Sequence, residues 1–121
     1  MESENNEYFI AKWKSQYKKG LLEYIIILLL RSRPCYGYEL ISDMNQFTSL
    51  EIAEGTIYPL LNRLKKEGLV TSEWAEQESG IPRKYYKLTE DGLAILGTMN
   101  EYVGSLNSSV EKILNKTDSL K

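Results

Sequence analysis

This sequence predicts a mainly α-helical protein with one small β-hairpin, an α+β chain, and three patterns carry that expectation. Residues 55–68, Gly55-Thr56-Ile57-Tyr58-Pro59-Leu60-Leu61-Asn62-Arg63-Leu64-Lys65-Lys66-Glu67-Gly68, read as a capped helix, apolar on one side and basic on the other. Leu69 to Trp74 and Arg83 to Leu88 alternate as strands around a turn over Gln77 to Pro82. From Leu96 onward Leu96, Met99, Val103, Leu106, Val110 and Ile113 step by 3, 4, 3, 4 and 3, the rhythm of a coiled-coil seam. A basic-faced helix followed by a hairpin with a basic return strand is the layout of a winged helix-turn-helix domain, extended here by a long C-terminal helix.

Each element follows from its residues. Residues 1–7 are polar and acidic and are expected to fray. Phe9, Ile10, Trp13 and Tyr17 then fall at helical spacing, as a short amphipathic helix or an extension of the next one. Residues 20–32 are apolar nearly all round, the mark of a central core helix, and Pro34 stops it. A second helix is expected from Tyr36 to Asn45, with Tyr38, Leu40, Ile41 and Met44 on or near its inner side. For the third, Thr56 is the expected N-cap, Pro59 falls in the first turn and Gly68 is the terminator. Thr89 is placed to cap the last helix, with Glu90 and Asp91 at the positive end of its dipole. The expected organisation is a tail and amphipathic helix over 1–19, the winged domain over 20–89, a dimerisation helix over 90–117 and a tail over 118–121.

The charge of −2 over 121 residues argues against a nucleic-acid partner until its distribution is seen. Residues 12–33 carry Lys12, Lys14, Lys18, Lys19, Arg31 and Arg33 against Glu23 alone, whereas Glu73, Glu76 and Glu78 cluster elsewhere. The chain has no histidine and one cysteine, Cys35, which removes the commonest general base and metal ligand and any disulfide framework. With no glycine-rich phosphate loop either, an enzyme is not expected, nor a metal or cofactor. The apolar run Leu21 to Leu30 is half the length of a membrane span and holds Glu23, so a core helix in a cytoplasmic protein is expected.

The side chains on the outer face of the third helix suit double-stranded DNA. Tyr58 at its N-terminal end and Thr56 are placed for a phosphate or base edge, and Asn62 and Arg63 have base-reading side chains. Lys65 and Lys66 suit phosphates, and Arg83 and Lys84 suit a wing gripping the flanking backbone. Tyr85 and Tyr86 point to opposite faces of one strand, so one of them is expected in the core. The competing reading is a winged-helix protein-interaction module without specific DNA binding. The basic faces favour DNA. An exposed seam along the last helix, from Leu96 to Ile113, calls for a second copy of the chain.

Five segments in order resemble the PadR family of bacterial transcriptional regulators. They are Gly20-Leu21-Leu22-Glu23, Tyr36-Gly37-Tyr38-Glu39-Leu40, Glu54 to Leu61 with Arg63-Leu64, Glu67-Gly68-Leu69-Val70, and Arg83-Lys84-Tyr85-Tyr86 with Leu88, Thr89 and Gly92. Together they span residues 20–92, and the single long C-terminal helix resembles the smaller subgroup. The resemblance implies a homodimeric repressor on an inverted-repeat operator, a dimer interface from the N- and C-terminal helices, and often release by a small aromatic effector. Tyr38 resembles a family tyrosine that approaches the phosphate backbone, the alternative being a buried tyrosine with a hydrogen-bonded hydroxyl. Some members stack flat drugs on a tryptophan of the last helix. This chain has no tryptophan after Trp74, which leaves Trp13, Tyr17 and Tyr102 as the candidate ligand-facing aromatics.

Overall fold

Ile26 and Ile27, both fully buried, sit in one core with Leu40, Met44, Ile57, Leu61, Leu64 and Leu96, drawn from all four helices. The computed structural model describes residues 2–119, and side chains from residue 3 to 116. The order is α1 (Glu2–Leu30), β1 (Cys35–Tyr36), α2 (Gly37–Phe47), α3 (Glu54–Lys66), β2 (Val70–Ala75), β3 (Arg83–Leu88) and α4 (Glu90–Ser119). The three strands form an antiparallel sheet in the order β1-β3-β2, with Cys35 opposite Tyr86, and Val70 opposite Leu88 through to Ala75 opposite Arg83. Four helices with this small sheet make the α+β winged helix-turn-helix that the patterns predict.

Several boundaries differ from the sequence reading. The acidic N-terminus is helical from Glu2, so α1 runs unbroken past residue 19 for 29 residues, about 43 Å. The strand β1 was not foreseen; its two residues are a strand only because β3 lies beside them. Helix α3 starts at Glu54 rather than Thr56: the Ala53 carbonyl accepts from the Thr56 and Ile57 amides at 2.9 and 3.1 Å. Thr56 is therefore inside the first turn and does not cap it. Pro59 accordingly lies in the second turn, where it deprives the Gly55 carbonyl of its i+4 donor.

Other local signals hold. Gly68 has φ +77°, and the Gly68 and Leu69 amides bond the Lys65 and Leu64 carbonyls, each at 3.0 Å, closing α3 with a Schellman motif. The Thr89 hydroxyl accepts from the Gly92 amide at 3.0 Å and donates to the Gly68 carbonyl at 2.7 Å. One side chain thus caps α4 and ties it to the end of α3. Gly92 permits this contact, since a Cβ there would collide with the Leu69 carbonyl. Tyr86 is the buried member of its pair and Tyr85 is half-buried. Between the long helices, the Tyr24 hydroxyl donates to Asn100 Oδ1 at 2.5 Å. Among the described residues, no helix is long and apolar enough to cross a membrane.

Candidate nucleic-acid interface

Tyr58 and Asn62 are one turn apart on the exposed side of α3, and the register of β2 with β3 brings Arg83 and Lys84 alongside them. With Tyr36 and Gly37 at the start of α2, these four residues line an open cleft of about 450 Å³. The cations are braced by aromatic rings rather than paired with acids. The Arg83 guanidinium lies 4.4 Å from the centre of the Tyr36 ring, and that ring meets Tyr85 edge-on at 5.4 Å. The Lys84 ammonium is 5.9 Å from the Trp74 ring and 5.8 Å from that of Tyr86. Such contacts hold a cation in place while leaving its charge free for an outside anion. Burial, and secondarily the neighbouring Tyr58, push the Tyr86 phenol above its ordinary pKa, so it stays neutral at the cleft floor.

The remaining DNA-contact candidates divide. Lys66 is exposed on the last turn of α3, and Tyr38 is 65% exposed on α2, which rules out the buried alternative for that tyrosine. Lys65 donates to the Ser72 hydroxyl at 2.8 Å and so braces α3 against β2. Arg63 turns away from the cleft: its Nη1 is 2.6 Å from Glu23 Oε1 on α1. In this placement the guanidinium points toward α1 and not into the cleft, through one contact from a side chain that stays 66% exposed. Thr56 is exposed in a separate hollow shared with Lys14, Lys18 and Lys19. Sequence reasoning missed Tyr36 and Gly37 as parts of the cleft; their signal was adjacency to Tyr38 in one short motif. Charge changes sign along the hairpin, with Arg83 and Lys84 at the loop end of β3 and exposed Glu76 and Glu78 in the loop beyond.

A second, apolar cleft of about 360 Å³ lies between α1 and α4, lined by Tyr17, Gly20, Leu21, Tyr24, Met99 and Tyr102. Two of the three candidate ligand-facing aromatics meet there. Trp13 does not line it; its ring stacks at 5.3 Å on Tyr17 and faces a neighbouring hollow by Thr48 and Leu50. The seam of α4 also divides. Leu96 is 1% exposed, so it belongs to the chain's own core and not to an exposed seam. Met99 packs partly on that core, and Val103 is half-buried. Leu106, Val110 and Ile113 are exposed at 48%, 56% and 64%.

An exposed polar helix face, a cationic strand end braced on aromatic rings and a long, apolar-faced helix are the parts of a winged-helix DNA-binding regulator of transcription. Residues 26–98 match the model of the transcriptional regulator PadR-like family, and the chain belongs to that family. It is 45% identical in sequence to a PadR-like transcription factor from Bacteroides fragilis, with a TM-score of 0.72, over 84% of this chain and 98% of that one. A PadR family transcriptional regulator from Eggerthella lenta superposes with a TM-score of 0.78 at 32% identity, over 91% of this chain and 96% of that one. The negative transcriptional regulator PadR of Bacillus subtilis is 34% identical over 76 residues, 60% of this chain and 41% of that protein.

Proposed function

We propose that this protein is a homodimeric repressor that binds an inverted-repeat operator, with the α3–wing cleft of each protomer seated on one half-site. The observation that carries this reading is the convergence of Tyr58, Asn62, Arg83 and Lys84 on one solvent-facing cleft, two cations beside two hydrogen-bonding groups. Asn62 has the amide that pairs with adenine in the major groove, while Tyr58, Arg83 and Lys84 fix register on the backbone. Tyr38 and Lys66 add contacts at the margins. The exposed Leu106, Val110 and Ile113 of α4 supply an apolar stripe for the second protomer, together with the exposed Tyr8, Phe9 and Trp13 of α1. Repression, rather than activation, is supported by the negative regulator of Bacillus subtilis to which the chain is similar.

The cleft between α1 and α4 suits a small, flat aromatic effector, since its walls carry Tyr17, Tyr24 and Tyr102. It adjoins the exposed part of the α4 stripe at Leu106, so a ligand there acts on the spacing of the two reading heads. A selection of genomic fragments by the purified protein tests the whole reading. It predicts enrichment of an inverted repeat. Recovery of no sequence above background would refute specific binding and favour a winged domain that docks on protein.

A further inference from the structure

Gly37 is buried at the first position of α2, and its glycine identity calls for a reason. Backbone conformation is not that reason, because positive φ among the described glycines is confined to Gly68 and Gly80. Space is. A Cβ built on Gly37 would come 2.5 Å from the Tyr58 hydroxyl oxygen, 2.7 Å from Cζ and 2.8 Å from Cε1, and these three atoms are its nearest neighbours. The end of the Tyr58 ring therefore lies directly across the first turn of α2. The same side chain lies close enough to the buried Tyr86 to disfavour ionisation of that phenol. Tyr58 is held between a missing side chain and a packed ring.

We propose that Gly37 is a positioning residue for DNA contact: having no side chain, it lets the Tyr58 ring cross α2 and sets the phenol hydroxyl in the same cleft as Arg83 and Lys84, where a backbone phosphate sits in the complex. This rests on the DNA-binding reading above. Tyr86 is 3% exposed and packed, so it leaves no room for the ring to retreat inward. An added methyl swings the phenol outward, away from the cleft floor. The moving atoms are the far end of a flexible side chain 42% exposed to solvent, so the fold survives while the hydroxyl is displaced. Stability and DNA affinity should separate.

Operator affinities of the full-length wild type, Gly37→Ala, Tyr58→Phe and the double variant, with a thermal melt of each, test this. Loss of one hydrogen bond to a charged phosphate corresponds to about tenfold. Gly37→Ala and Tyr58→Phe should each weaken binding about tenfold per half-site, or about a hundredfold for a dimer on both half-sites, and the double variant no further, because both remove the same hydroxyl. The Gly37→Ala melt should stay close to wild type. Wild-type affinity for Gly37→Ala, or losses that multiply in the double variant, would overturn the proposal while leaving DNA binding intact. A second pair guards against misfolding: with Tyr58→Ala there is no ring to displace, so adding Gly37→Ala should change nothing. A further loss in that background would show that Gly37 acts on its own and also overturn the proposal. If the wild type binds no duplex, the DNA-binding reading falls and this inference with it.

Discussion

Replacing Arg83 and Lys84 together by alanine removes two cations from the loop end of β3, and the structure sets what that should do. Neither residue takes part in the ion pairs found among the described residues; both are braced on rings, at 4.4 Å for Arg83 on Tyr36 and 5.8–5.9 Å for Lys84 on Tyr86 and Trp74. The folded state therefore loses only cation–π contacts, worth about 0.5–1 kcal/mol each at an exposed site. Binding loses more. Each phosphate neutralised contributes a slope of about −0.9 in log affinity against log salt, so removing two reduces its magnitude by roughly 1.8 per half-site. Over a fourfold rise in salt the variant's affinity for one half-site should fall about 12-fold less than that of the wild type. Fluorescence anisotropy on matched operator and scrambled duplexes from 50 to 200 mM salt measures this. The loss should be similar on both duplexes, because backbone contacts position without specifying. An unchanged slope, or a loss confined to the operator, would refute the assignment of Arg83 and Lys84 to phosphates.

Leu106→Glu puts a charge on the exposed stripe of α4 and should halve the mass seen by light scattering; an unchanged mass would show that the protomers meet elsewhere. Leu96→Ala, at a core position 1% exposed, should instead cost about 2–5 kcal/mol in denaturant unfolding, and a cost below 1 kcal/mol would contradict its burial in the protomer. Burial pushes the Cys35 thiol up to about 11, against the opposing pull of Arg33, so Ellman's reagent should fail to label the native protein at pH 8. With the folded pKa above the ordinary 9.0, the contribution of Cys35 is full below pH 9 and is lost as pH rises through about 11. Cys35→Ala should therefore flatten the fall in stability between pH 9 and 11. An identical fall in the variant would assign it to other groups.

What was legible in the sequence was local. Gly68 and Thr89 announce a helix end and a helix start because each acts through hydrogen bonds to residues within a few positions, and the two strands of the hairpin show in their alternation. Partners far apart in sequence were not legible. Arg63 reads as a free basic side chain until the fold brings Glu23 to it across 40 positions. Leu96 fits the α4 rhythm, yet the first turns of that helix still cover the core, and the stripe becomes exposed only beyond Val103. The two-residue β1 has no pattern of its own and exists by pairing with β3. Of the DNA-contact candidates, Tyr58, Asn62, Arg83 and Lys84 meet in one cleft because α3 packs on β2 and the hairpin pairs β3 with β2. Thr56 and Arg63 lie on other faces of the same helix.

A hydroxyl-radical footprint on an enriched genomic fragment tests the central claim most directly. Two protomers, each with one α3–wing cleft, should protect two backbone patches related by a dyad, with half-site centres about 10–10.5 base pairs apart or a multiple of that. Protection should weaken at both patches with Arg83→Ala and Lys84→Ala. A single asymmetric patch, or two patches indifferent to those substitutions, would contradict a dimer reading DNA through this cleft.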